Sequence, residues 1–125
     1  MPEKDALKYF RDIVNAACVL YDYNITHRDI KAQNILIKDG VAKLADFGFA
    51  KELREKDVQE DGTGVGTILY MAPQLILQDK PQYSIRCDVW SIGVVMYYVF
   101  ANISRSSSVT SHGKQTRRSK VSSYP

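Results

Sequence analysis

Cysteine is scarce: Cys18 and Cys87 are the only two in 125 residues, too few for the disulfide framework of a small secreted scaffold. No cluster of His and Cys at metal-ligand spacing accompanies them, no leader-like segment opens the chain and no internal repeat is visible, so a reducing, cytoplasmic setting is expected. Long hydrophobic runs are missing too. The apolar stretch from Asp88 to Ala101 falls short of the roughly 20 residues a bilayer requires, so no membrane span is expected. Acidic residues are absent from 102–125, where eight serines accompany Arg105, Lys114, Arg117, Arg118 and Lys120. Such a composition cannot bury enough apolar surface to offset the entropy of ordering. The segment 102–125 is therefore expected to be a disordered, Ser-rich basic tail, solvated rather than bound to nucleic acid or a membrane surface. The first hundred residues hold 12 Lys and Arg against 14 Asp and Glu, so the net charge of +3 comes from that tail.

What remains is patterned. From Glu3 to about Tyr21, apolar residues recur at Leu7, Phe10, Ile13, Val14, Ala17 and Leu20 with charges between them, the pattern of an amphipathic helix. Pro2, Glu3 and Asp5 suit its start. Ile35-Leu36-Ile37 and Val41-Ala42-Lys43-Leu44 flank Asp39-Gly40, the dipeptide that supplies the positive φ of a tight hairpin. From Asp46 to Gln74 the chain is polar and glycine-containing and reads as a surface loop. The helix from Asp88 onward is apolar almost all round, which calls for burial inside a larger body.

Between the first helix and the hairpin lies His27-Arg28-Asp29-Ile30-Lys31-Ala32-Gln33-Asn34. Transfer of a γ-phosphoryl group passes through a loose transition state stabilised mainly by positioning and charge. Asp29 can accept a hydrogen bond from an attacking hydroxyl. Asn34, five residues on, offers an amide oxygen to Mg²⁺, and Asp46 a charged one; hard oxygen ligands plus the substrate's own phosphates suffice for that ion. Lys31 can meet the transferring phosphate as a point charge.

This loop, together with Asp46-Phe47-Gly48, Ala72-Pro73 and Asp88-Val89-Trp90-Ser91-Ile92-Gly93 in that order, resembles the eukaryotic protein kinases. Any one of these motifs alone is an ordinary surface turn; their joint order carries the resemblance. It implies a mainly α fold with a small β-hairpin (α+β), part of a kinase C-terminal lobe over 1–101, and the cofactors ATP and Mg²⁺. It further implies that Leu36 forms the floor beneath the adenine, that Lys31 and Gly66-Thr67 go with serine/threonine specificity, and that Thr67 helps seat a protein substrate near Asp29. The stretch Asp46 to Gln74 corresponds to the activation segment. There Thr63 is an expected phosphorylation position, and Arg28 is the natural partner for the added charge. Asp88 is expected to anchor the backbone near His27 and Arg28, and His27 to pack against Phe47. Ala45 to Ala50, with Tyr70-Met71-Ala72-Pro73, looks like the unc-51-like kinases, and calcium/calmodulin-type and Aurora-type kinases share parts of the same pattern.

The chain departs from the family at Gln74, where the family has glutamate. No Gly-x-Gly-x-x-Gly loop is present to cover a nucleotide. The expectation is a serine/threonine kinase segment that acts in an intact parent and not by itself. The alternative is a catalytically dead, kinase-derived binding product. Oligomeric state is left open.

Overall fold

The computed structural model describes residues 1–53, 65–78 and 83–115, with 106–115 described by backbone alone. Helix α1 (Glu3–Asp22) starts at Pro2 with Glu3 and Asp5 in its first turn, where acidic side chains complement the positive end of the helix dipole. It stops at Tyr23 and Asn24, the latter at φ 54°, a left-handed conformation that Asn tolerates better than most residues. Its buried line runs through Ala6 and Ile13, flanked by Phe10, Val14 and Ala17. Leu7, expected on that face, is 52% exposed, because the buried line passes through Ala6 one residue earlier.

Strand β1 (Ile25–Thr26) leads into the His27–Asn34 loop, which closes with a single 3₁₀ turn at Ala32–Asn34. Strands β2 (Ile35–Lys38) and β3 (Val41–Leu44) form the expected hairpin, in the register Ile35↔Leu44 to Lys38↔Val41. Asp39 and Gly40 turn it at φ 53° and 72°, the two positive values a two-residue hairpin turn needs. Asp12 accepts the Ala42 amide at 3.1 Å, and Lys8 pairs with Asp12 while donating to Gly40 O, so α1 is tied to the hairpin by polar contacts at one edge. Strand β4 (Lys51–Glu52) pairs antiparallel with β1, adding a short ladder inside the stretch expected to be loop.

A 3₁₀ turn at Ile68–Tyr70 and the short helix α2 (Pro73–Leu77) follow. Helix α3 (Ile85–Gln115) is the longest element, 31 residues. It packs Ile92 with Ile13, Ile30 and Ala42 in one core, Val95 against its edge. A second core gathers Ala72, Leu75, Tyr83 and Cys87.

Two expectations change at α3. No break falls at 101: the backbone stays helical through 102–115, where a disordered tail was expected. Adding a residue to a formed helix is far easier than nucleating one, so the apolar segment carries the helix into the serines; residues 116–125 lie outside the described residues. The helix is also only partly covered. Val89, Trp90, Tyr97 and Tyr98 are 63, 48, 70 and 46% exposed. With the added length, Ile85–Arg105 is long and apolar enough to cross a membrane by length and composition. Its buried Asp88 and Ile92 are spent on the loop and on α1, the arrangement of a helix packed in a folded domain.

Candidate active site

Asp88 organises the catalytic-type loop from below. Its Oδ2 accepts the His27 amide at 2.7 Å and the Thr26 hydroxyl at 3.1 Å, and its Oδ1 accepts the Arg28 amide at 3.0 Å. Burial pushes the Asp88 pKa up, outweighing these three donors, which favour the carboxylate. His27 is fully buried, with Nε2 3.1 Å from Ala45 O and Nδ1 3.4 Å from the Asp29 amide. A carbonyl can only accept and an amide only donate, so the ring proton sits on Nε2. The ring packs on Phe47 at 4.8 Å between centroids, as the family resemblance implied. Arg28 adopts φ 67°, a conformation that costs a non-glycine residue about 1–3 kcal/mol and that is held here by the bond to Asp88.

That frame presents Asp29, 5% exposed, at the centre of a polar cluster. Thr67 donates to its Oδ1 at 2.8 Å. Lys31 Nζ lies 2.7 Å from its Oδ2 and donates to Thr67 Oγ1 at 3.1 Å. Asn34 Nδ2 donates to Asp29 O at 2.8 Å and to Oδ2 at 3.1 Å. Burial by itself would raise the Asp29 pKa. The bonds from Lys31 and Thr67, the charge of Lys31 and the Asn34 amide outweigh it and hold the carboxyl below its ordinary value. Asp29 is therefore ionised at neutral pH. A carboxylate offers about four lone-pair sites, so Oδ1, bonded to Thr67, can accept a second hydroxyl.

The hairpin brings the backbones of Asn34 and Asp46 near each other. The Ala45 amide donates to Asn34 O at 2.8 Å, continuing the β2–β3 ladder and setting Asp46 beside the loop. Because the Asn34 amide nitrogen is engaged on Asp29, its oxygen is turned away from that carboxylate. Asp46 is exposed, at φ 61°, with Oδ1 accepting the Gly48 amide at 3.3 Å. One carboxylate and one amide oxygen fit a hard cation that keeps phosphate ligands of its own. Among the described residues no group of three or more His, Cys, Asp and Glu could hold a metal. Leu36, on the open face of the hairpin, is 57% exposed.

Arg28 donates to Phe49 O and lies over the Tyr83 ring at 5.3 Å. Thr63, its expected phosphorylated partner, lies outside the described residues. Gln74, in place of the family's glutamate, donates to Cys87 Sγ at 3.7 Å. Thr26, Tyr83 and Ser91 were not singled out in the sequence as site residues, and Gly66 only as the neighbour of Thr67. Gly66 has φ 116°, and a Cβ there would come within 2.7 Å of Arg28 O, so only glycine lets this backbone approach the loop. No sequence spacing reports that approach; a glycine just before Thr67 was the one available signal.

The family described as protein kinase domain matches residues 1–123. The serine/threonine-protein kinase nekl-2 of Caenorhabditis elegans is 43% identical over 98 residues, 77% of this chain and 26% of that protein. The human serine/threonine-protein kinase ULK3 is 41% identical over 100 residues, 78% of this chain and 20% of that protein, in line with the unc-51-like resemblance. A solved yeast structure, the RNA Pol II CTD kinase CTDK-1 complex, superposes with a TM-score of 0.68 at 31% identity, covering 77% of this chain and 31% of that one. The chain spans between 6% and 26% of the length of the curated relatives it matches.

Proposed function

The chain belongs to the protein kinase family, by its relatives a serine/threonine kinase, and from that membership we propose that its residues serve phosphoryl transfer from Mg·ATP to a serine or threonine hydroxyl of a protein substrate. The observation that carries the proposal is the Asp29 carboxylate, held by Lys31, Thr67 and Asn34 with acceptor capacity left on Oδ1.

In this reading Asp29 accepts the substrate hydroxyl's hydrogen bond and aims its oxygen. A carboxyl with a lowered pKa is a weak base, which suits a loose transition state in which the proton leaves late. Such a group contributes roughly 10²- to 10⁴-fold. Lys31 bridges Asp29 and Thr67 and places a positive charge where a transferring phosphoryl group would pass. Asn34 and Asp46 supply oxygen ligands for Mg²⁺, which protein kinases use with ATP to neutralise phosphate charge. Leu36, exposed on the hairpin, supplies an apolar surface for the base. Further residues must cover the nucleotide, since no Gly-x-Gly-x-x-Gly pattern occurs in these 125 residues. The transfer is therefore assigned to the intact parent polypeptide.

The test is incubation of the protein carrying this segment with Mg·ATP labelled at the γ-phosphate and matched peptides containing serine, threonine or tyrosine. Label on serine and threonine is expected. Label on tyrosine alone overturns the specificity, and no label on any peptide overturns the activity.

A further inference from the structure

Among the described residues, Thr67 is the one group whose side chain bonds Asp29 from outside the His27–Asn34 loop, 38 residues away in sequence. Its local bond, the Tyr70 amide donating to Thr67 O at 2.9 Å, shapes the turn but does not tie it to the rest of the molecule. Thr67 has extended backbone, at φ −99° and ψ 116°, and stands between Gly66 and a single 3₁₀ turn. Its side chain makes only contacts to Asp29 and Lys31 among the bonds described. What keeps the segment in place must come from elsewhere.

Two hydroxyls supply it, one on each side of Thr67. The buried Tyr83 donates its hydroxyl to Val65 O, two residues before Thr67. Ser91 Oγ lies 2.7 Å from Tyr70 O, three residues after it, and 3.2 Å from Cys87 O, its own i−4 carbonyl. A serine hydroxyl has one proton, and the shorter contact is the bond to Tyr70. Both donors stand on the base that holds the loop: Ser91 is three residues after Asp88 on α3, and Tyr83 precedes α3 with its ring beneath the Arg28 guanidinium. Gly66 completes the seat, its backbone pressed against Arg28 O.

We propose that Tyr83 and Ser91 are positioning residues that clamp the Val65–Tyr70 segment from both ends and so keep the Thr67 hydroxyl on Asp29. One rigid base then fixes both halves of the site: Asp88 holds the loop that carries Asp29, and the two hydroxyls hold the segment that carries Thr67. This rests on the site assigned above, but it concerns an arrangement that exists whether or not phosphate is transferred.

The test follows the segment itself, by amide hydrogen exchange across residues 66–70 in the protein carrying this segment. Tyr83→Phe and Ser91→Ala each remove one donor, and each is expected to speed exchange there by roughly 5-fold or more while the amides of α1 keep their wild-type rates. Ser91→Thr keeps the hydroxyl and is expected to restore the wild-type exchange. Unchanged exchange across 66–70 in Tyr83→Phe and Ser91→Ala overturns the proposal, as does an equal acceleration throughout α1. If Ser91→Ala does not fold, Tyr83→Phe alone decides by the same two criteria. Failure to label any peptide, which overturns the assigned activity, leaves this exchange unaffected.

Discussion

Asp88 and His27 stand 61 residues apart in sequence, and the carboxylate of the first accepts the backbone amide of the second at 2.7 Å. The bond joins the longest helix to the loop that carries Asp29. An amide in place of the carboxylate would turn an N–H₂ group towards one of three donors. Asp88→Asn is expected to lower stability by about 1–3 kcal/mol, the cost of a buried group left unsatisfied, as read by urea denaturation. An unfolding midpoint within error of the wild type would show that the three donors find other partners.

The two buried carboxylates give opposite pH dependences. Asp29 has a native pKa below the ordinary value of 3.8, so its contribution to stability is present above that value and is lost as pH falls through the native one. Asp88 has a native pKa above 3.8, so the folded state holds its proton more tightly than the unfolded chain. Its contribution is present below 3.8 and is lost as pH rises through the raised value. Denaturation followed across pH is expected to show a weaker acid loss in Asp29→Asn and a weaker decline above 3.8 in Asp88→Asn.

Lys31 touches both Asp29 and Thr67, at 2.7 and 3.1 Å. Lys31→Met keeps much of the stem and removes the charge. The rate of phosphoryl transfer in the parent kinase is expected to fall by roughly 10-fold or more, as for loss of a charged hydrogen bond of about 1.5–3 kcal/mol. Steady-state kinetics should place the loss in kcat, with KM for the peptide little changed.

Gly66→Ala brings a Cβ to within 2.7 Å of Arg28 O at φ 116°. Strain of about 1–3 kcal/mol is expected, together with displacement of Thr67. Calorimetry should give a lowered Tm, and amide exchange across residues 66–70 should speed up as in the Tyr83 and Ser91 variants.

The face of α3 that carries Val89, Trp90 and Tyr97 is 63, 48 and 70% exposed at those residues. An apolar patch of this kind is an association liability. The isolated chain is expected to be marginally stable and to scatter light at micromolar concentration, and Val89→Lys with Tyr97→Lys to reduce the scattering. A cooperative thermal transition from a non-scattering monomer would contradict this.

The sequence reading went furthest where chemistry is local. Asp39-Gly40 demanded a hairpin turn and forms one, and the spacing of Asp29, Lys31 and Asn34 placed three functional groups on one short loop. Asp88 was legible through the family resemblance alone, since nothing in its own neighbourhood names a partner 61 residues away. Thr26, Tyr83 and Ser91 were missed for the same reason: each acts through a carbonyl or carboxylate distant in sequence, and a hydroxyl in a patterned segment carries no sign of its partner. Leu7 was misplaced because a face one residue earlier served the core better. The boundary at 101 followed composition, whereas a helix already nucleated extends into residues that would not start one.

The most direct test compares initial rates of Mg·ATP-dependent phosphoryl transfer to a serine peptide by the parent kinase with Asp29 and with Asp29→Asn. Asparagine matches the carboxylate in shape and removes its charge. A fall of roughly 10²- to 10⁴-fold with nucleotide affinity retained is the expected result; equal rates would contradict the assignment of Asp29 as the group that receives the substrate hydroxyl.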